Sequence, residues 1–599
     1  MVIFIDKTTK NAKGIKKEIG KNRKNRSRKG KNERVLVLCA LPYTNAVPHI
    51  GNIVGSHLPA DIFARYCRLR GRETLFIGGA DENGTPTEVA TIELKVSPRL
   101  LTDVLYKIHK QIYEWFGISY DNFSRTSTQT HHKTTQEFFD KIYENGYISE
   151  GTLRLPYCEH DKLFLPDRYV EGVCPYCKYT RARGDQCEQC TRLLDADQLL
   201  KPQCKICGNT PIIKESKHLF LELEKLTSQL EKWVKSNTHW RTQVTALTFG
   251  WIKEGLKRRC ITRDLKWGVP VLLEGYTDKV FYVWFDAPIG YLSFTKEWAE
   301  INGRLEEWKE YWDEKIGRGT KIYNFIGKDN IPFHTIFWPA MIMAHGELKL
   351  PYNVIGLQYC NYEGDKISKS RNWGIFCEKL PMSGIDSDVW RYYLTYLIPE
   401  TKDSDFKWED FENRINAEYV GNIGNFIHRT STFIWNYFGG ELLKVELNKD
   451  ERILKEIELT KNKVEELLDD VRLRDALAEI LSLSDKGNRY FQENRPWNLI
   501  KGSEVERKKC AYVLYVCAIL SKSLAILLLP FIPKTSEKIL KQLNVGDKVK
   551  WEDIGKPIST KQYKINEPHV LFEKLTKKKI EELKTTVTKM TPLKEFLEK

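Results

Sequence analysis

The sequence predicts an α/β protein: a doubly wound parallel sheet, split by a cysteine-rich insertion and followed by a helical bundle. Three observations carry this expectation. From Arg34 onward, short apolar, β-branched runs alternate with helical patterns, as parallel strands joined by helical crossovers do. Seven of the fourteen cysteines crowd between Cys158 and Cys207, in a turn-rich stretch inside that alternation. From about residue 411 to 543, turn signals become sparse and apolar residues keep a helical spacing.

Taken in order, residues 35–38 (Val-Leu-Val-Leu) read as a buried strand, followed by a Pro-interrupted loop and a helix over 52–70. Residues 75–77 are a second strand, ending in Gly78-Gly79-Ala80-Asp81, and helical stretches then run to about Asn145. Beyond Phe220 the α/β pattern returns. Residues 280–285 read as a strand ending at Asp286, and 322–326 as one ending at Gly327-Lys328-Asp329. Residues 353–355 form a strand before the polar loop 363–372. The most apolar stretch, 513–533, is interrupted by Lys522, so neither uninterrupted part reaches the ~20 residues that span a bilayer, and it is expected to be a buried helix. The tail has one amphipathic segment, 571–585. The expected divisions are a basic extension (1–33), first half-sheet (34–150), insertion (151–215), second half-sheet (216–360), loop region (361–410), bundle (411–545) and helical tail (546–599).

Charge is unevenly placed. Residues 1–34 carry thirteen Lys or Arg against three acidic residues, two thirds of the chain's net +15. This arm lacks apolar periodicity and is expected to be disordered, suited to nucleic-acid phosphates or to partner proteins. It has no apolar segment of the secretory kind, and its Lys-rich composition disfavours a mitochondrial leader, so the expected location is the cytoplasm, away from membranes. Reduced thiols are then the rule, and paired Cys-x-x-Cys units point to metal.

In open α/β sheets, ligands bind beyond the carboxyl ends of the strands. The segments after these strands are rich in polar residues: Ala40-Leu41-Pro42-Tyr43 with His49-Ile50-Gly51-Asn52, then Asp81, Asp286-Ala287-Pro288, Lys328-Asp329, and Lys366-Ile367-Ser368-Lys369-Ser370. A helix N-terminus with His49 and Asn52 offers donors to an anion, and Gly51 admits a base or ribose close to the backbone. A loop with two lysines can fold over a triphosphate and stabilise charge as pyrophosphate leaves. Asp81 can accept from an ammonium group. Each residue alone has a plain structural reading, a cap or a solvated charge, which their joint placement weakens.

The His49–Asn52 and Lys366–Ser370 motifs resemble the two signatures of class I aminoacyl-tRNA synthetases. Ala40-Leu41-Pro42-Tyr43, Ala80-Asp81-Glu82-Asn83-Gly84-Thr85, Thr262-Arg263-Asp264-Leu265-Lys266-Trp267-Gly268 and Trp284-Phe285-Asp286-Ala287-Pro288-Ile289-Gly290-Tyr291 narrow the resemblance to the methionyl-tRNA synthetases. It covers about residues 34–584. Two positions depart from the usual motifs: Asn52 stands where His is common, and Ile367 where Met is usual. The resemblance implies a split Rossmann-type sheet that activates methionine with ATP, Mg²⁺ accompanying the nucleotide, and transfers it to tRNA. It implies catalytic roles for His49, Asn52, Lys366 and Lys369, and ATP contacts from these with Gly51, Lys328, Asp329 and Ser368. Methionine is expected among Leu41, Tyr43, Asp81, Trp284, Ala287, Pro288, Tyr291 and His334, with Tyr291 and the Leu41 backbone at its sulfur.

Cys174-Pro-Tyr-Cys177 and Cys187-Glu-Gln-Cys190 have the spacing of a structural zinc site. Cys204-Lys-Ile-Cys207 is a third pair, whose partners for a second site are Cys158 and either Asp161 or His160; relatives with two sites often have Cys at position 161. Asn425 and Arg429 share a helix face, and Arg495-Pro496-Trp497 sets an aromatic in a turn, a combination that reads unstacked bases. By resemblance, these three residues contact the anticodon, and Gly421 stands where many members have Asn. A monomer is expected. The competing readings are another enzyme of the same class, or a non-catalytic tRNA-binding protein of the same fold.

Overall fold

The computed structural model describes residues 33–598, apart from 166–168, 185, 186, 188, 191, 193, 195, 370, 444, 445, 449, 450, 547 and 559–561. The basic arm lies outside the described residues. Strands β1 (Arg34–Cys39), β2 (Glu73–Ala80), β3 (Asn122–Arg125), β4 (Lys321–Gly327) and β5 (Asn353–Leu357) form one parallel sheet in the order β5-β4-β1-β2-β3. The order reverses between β1 and β4, which leaves a crevice at their carboxyl ends. The apolar run of β1 is continuous because both faces are covered. Val35, Val37 and Cys39 enter the core beneath helix α1 (Leu58–Leu69), while Leu36 and Leu38 enter a second core with Phe138 and Phe285.

Three sequence expectations are corrected. Residues 280–285 are not a sheet strand. Val280–Phe281 makes a two-residue ladder with Thr262–Arg263, and helix α2 (Val283–Ile301) begins at once. Phe285, Ile289 and Leu292 recur at helical spacing and face one core, so tertiary packing overrides the local β-propensity. The edge strand β3 was hidden in a stretch read as helical; four residues are too few to show a period. The tail helix also starts later than expected, at Lys577–Val587.

The insertion is carried on a long antiparallel pair, Ile148–Cys158 with Ile212–Leu221, which projects from the sheet. Beyond the second half-sheet the chain becomes helical: α3 (Asn425–Phe438), Arg452–Asp469, α4 (Leu473–Asn494), α5 (Glu504–Leu528) and Pro533–Gln542. By length and hydropathy α5 is apolar enough to cross a membrane, but 89% of its most apolar window is buried inside the bundle. Its Lys522 is buried and donates to the Lys556 carbonyl at 2.7 Å. Gly487 lets α4 approach α5, since a Cβ there would lie 2.5 Å from Leu520.

The bundle is tied to the sheet through buried Arg391 of the intervening helix Ser387–Tyr396. Arg391 contacts Asp61 of α1 at 2.7 Å, and both side chains are fully buried. The same guanidinium donates to the carbonyls of Phe116, Pro530 and Phe531. Asp61 also accepts from Arg65 and Ser119, so neither buried charge is left unpaired. The tail then returns to the sheet. Phe376 N–H donates to Val587, Met590 N–H to Asn372 and Thr591 N–H to Glu378, and Met590, Leu593 and Phe596 pack near Leu101 and Phe376.

Candidate active site

The loop after β1 and the segment after the lysine loop are paired by backbone. His49 bridges Phe376, Ile50 N–H donates to Ile375 at 3.1 Å, and Cys377 N–H donates to Pro48 at 2.9 Å. Two motifs distant in sequence are therefore held side by side. His49 is extended and caps the helix that runs through Ile50–Asn52 and the π turn Ile53–His57 into α1. Its N–H donates to Asn52 Oδ1 at 3.0 Å. Asparagine thus closes the cap with its oxygen and keeps its amide NH₂ for a ligand. His49 Nδ1 is buried without a partner. Burial, reinforced by Lys369, pushes its pKa down to about 3, so the ring is neutral at physiological pH. A Cβ at Gly51 would lie 2.9 Å from the His49 ring and 3.4 Å from Ile367, which is why this position takes glycine.

The lysine loop is a hairpin closed by paired hydrogen bonds between Ser368 and Trp373 (2.8 and 2.9 Å). Lys366 is exposed, whereas Lys369 is half-buried against the first motif. Burial lowers the Lys369 pKa to about 8, only partly offset by Cys377 and Glu378. Lys328 and Asp329 stand exposed in the turn after β4. Tyr359, absent from the sequence expectations, stands between them and Lys366: its hydroxyl donates to Asp329 and its ring lies beneath both lysines. Its position just past β5 was the available signal.

The other half of the crevice is apolar with one acidic floor. The loop after β1 is bound to the end of β2, since Asp81 N–H donates to Pro42 and Thr44 N–H to Asp81, both at 2.9 Å. Asp81 is buried, and its Oδ1 has no protein partner. Burial and neighbouring Asp286 hold its pKa well above the usual carboxylate range. Asp286, missed in the sequence as a site residue, accepts from Asn83 at 2.5 Å and faces His131 at 3.8 Å; its Oδ1 is also unpartnered. Tyr291 and His334 meet at 2.9 Å. His334 Nδ1 faces the Asn330 carbonyl at 3.0 Å and must carry the proton, so the Tyr291 hydroxyl donates to Nε2. The expected sulfur contact from this hydroxyl is therefore committed to His334. Ala287 and Pro288 lie on α2, Leu41 packs toward Gly290, and Trp284 is 43% exposed at the mouth, edge-on to Phe333.

Two clusters in the insertion have metal-binding geometry: Cys174, Cys177, Cys187 and Cys190, and Cys158, Asp161, Cys204 and Cys207, each with all ligand atoms within 4.8 Å of one another. A tetrahedron with ~2.3 Å metal–sulfur arms has edges near 3.8 Å. Cys174 and Cys190 are 3.9 Å apart, Cys177 and Cys187 3.5 Å, and Asp161 Oδ2 lies 3.2 Å from both Cys158 and Cys204. Asp161, not His160, enters the second cluster; His160 is exposed and pairs with the other Asp161 oxygen.

In the bundle, Arg429 lies over Phe491 (4.6 Å) and Trp497 (5.9 Å), with exposed Asn425 one turn earlier on α3. Trp497 is half-buried in the short helix Pro496–Leu499 rather than free in a turn, and Phe491 is an addition the sequence did not reveal. Gly421 belongs to a π turn, where a Cβ would lie 2.9 Å from the Asn416 carbonyl.

Comparison with known proteins agrees with this geometry. Residues 35–431 match the model of "tRNA synthetases class I (M)", and 444–590 that of the "anticodon binding domain of methionyl tRNA ligase". The cytoplasmic methionine–tRNA ligase of Xenopus laevis is 43% identical over 559 residues, 92% of this chain and 61% of that protein. The methionine–tRNA ligase of Methanopyrus kandleri is 43% identical over 558 residues, 92% of this chain and 81% of that protein. The chain spans about three fifths of the length of its vertebrate relatives. The fold matches Mycobacterium tuberculosis methionyl-tRNA synthetase in complex with methionyl-adenylate, with TM-score 0.75, 24% identity, and 90% and 99% of the two chains covered. On its sequence and its fold together, the chain belongs to the methionine–tRNA ligase family of class I aminoacyl-tRNA synthetases.

Proposed function

We propose that this protein activates methionine with ATP and transfers it to the tRNA of methionine. The observation that carries this reading is the junction of His49 with the lysine loop across a crevice floored by Asp81. An unpartnered buried carboxylate needs a cation, and a substrate ammonium supplies one. The flexible thioether then lies along Leu41, Tyr43, Ala287, Pro288, Tyr291 and His334 under Trp284, an apolar pocket with few polar contacts. With the Tyr291 hydroxyl engaged, the Leu41 N–H is the remaining donor toward sulfur.

ATP lies over Gly51, its ribose and α-phosphate served by neutral His49 and the Asn52 amide, and its outer phosphates by Lys328, Lys366, Ser368 and Lys369. Asp329 and Mg²⁺ belong to the same nucleotide end. The methionine carboxylate oxygen attacks the α-phosphorus, and the bond to the bridging oxygen breaks as pyrophosphate leaves. The 3′-terminal ribose hydroxyl of tRNA then attacks the acyl carbon, and AMP departs. No protein nucleophile is needed; the residues position groups and stabilise charge.

The clusters suit structural zinc, one Cys₄ and one Cys₃Asp, whose bound ion would stiffen the knuckles. Activation belongs to 34–150 and 216–360, the metal knuckles to 151–215, loop closure to 361–410, and anticodon reading to 411–545 through Asn425, Arg429 and Trp497. The arm 1–33 adds phosphate contacts, and the tail after 546 braces the loop region. The cytoplasm is the proposed location, in keeping with the vertebrate relatives. The test is ATP–pyrophosphate exchange with each of the twenty amino acids. Exchange with methionine alone is the expected result; exchange with another amino acid overturns the specificity, and none from folded protein leaves a tRNA-binding role.

A further inference from the structure

Tyr359 lies just beyond the carboxyl end of β5 and belongs to neither nucleotide motif. Its ring centroid is 5.2 Å from Lys366 Nζ and 5.7 Å from Lys328 Nζ, and its hydroxyl donates to Asp329. Its backbone is fixed at both ends: the N–H donates to Asp403 at 3.0 Å, and the carbonyl accepts from Ser404 at 2.9 Å. One side chain thus touches three charged groups that come from two different segments, the turn after β4 and the lysine loop. Lys328 and Lys366 are exposed, long and of like charge. Left alone they would repel each other and spread over many rotamers. The negative face of an aromatic ring attracts an ammonium without neutralising it, so the charge stays available to a phosphate.

We propose that Tyr359 is a positioning residue for the triphosphate: its ring gathers Lys366 and Lys328 and its hydroxyl anchors Asp329, so these groups are aligned before ATP arrives. This deepens the reading of the site as ATP-dependent and rests on it. The test is pyrophosphate exchange with ATP and methionine varied separately. Tyr359→Leu raises KM for ATP about five- to tenfold, from two exposed contacts of a few-fold each, and leaves KM for methionine unchanged. Tyr359→Phe, which keeps the ring and frees only Asp329, raises KM for ATP by about twofold, less than the leucine variant. Fluorinated phenylalanines at position 359 keep the volume while draining the ring face, so KM for ATP climbs with fluorine number even where the leucine variant fails to fold. A flat response across that series, or an equal rise in both KM values, overturns the proposal. An inactive wild-type protein would sink the functional reading as well, whereas an active one with indifferent variants sinks only the role of Tyr359.

Discussion

Asp81 and Lys369 set the chemistry of the crevice at the level of single groups. Asp81→Asn keeps the shape and removes the charge. Losing a charge-assisted hydrogen bond costs about 1.5–3 kcal/mol, so KM for methionine should rise roughly ten- to hundredfold with KM for ATP little changed. Steady-state exchange kinetics measure this, and an unaltered methionine KM would remove Asp81 from the ammonium site. Lys369 acts on phosphates only while protonated, and burial lowers its pKa to about 8. A lowered lysine keeps its charge below that value and loses it above. The kcat/KM for ATP, which reports the free enzyme, should therefore fall as pH rises through about 8. Lys369→Arg, which stays charged, should move that fall to higher pH; a profile identical to wild type would assign the limb elsewhere. His49 is neutral down to about pH 3 and should contribute no acid limb near pH 6.

At the level of elements, the knuckles and the strands differed in how much of them could be read. The Cys174–Cys190 site was legible because covalent spacing alone brings two x₂ pairs together. The choice between Asp161 and His160 was not, because it depends on which side chain the hairpin turns inward. Metal analysis of purified protein should give two zinc ions per chain, and Asp161→Ala should lower that to one; one ion in the wild type would dismiss the second site. The sheet strands β1, β2, β4 and β5 were visible as apolar runs. Residues 280–285 misled because a local aromatic, β-branched run looks like a strand until its next turn of packing is known. Tyr359 and Asp286 escaped for the same reason: their partners come from other elements. In the bundle, Gly487→Ala forces a methyl group against Leu520 and should cost about 1–3 kcal/mol, seen as a lower denaturation midpoint; an unchanged midpoint would mean that α4 and α5 can part freely.

Across the whole molecule, Asp61 and Arg391 join the nucleotide-binding sheet to the helical bundle. Arg391→Met leaves a buried carboxylate with Arg65 as its remaining cation and should destabilise by roughly 3–5 kcal/mol. Adding Asp61→Asn should recover part of that loss, because the two sites are directly coupled. Calorimetry of the single variant should show the sheet and the bundle melting apart; one sharp transition would mean that the junction is held elsewhere.

The tail that folds back on Phe376, Asn372 and Glu378 gives the crevice a history as well as a shape. β1 and β4 leave the ribosome far apart in time, and the segment bracing the lysine loop emerges later still. The first half-sheet must wait beside an unfilled neighbour while the insertion is made. A nascent chain stalled before Val587 should carry every residue that touches substrate and yet hold its lysines loosely. The last of the site to be made would be the part that locks it.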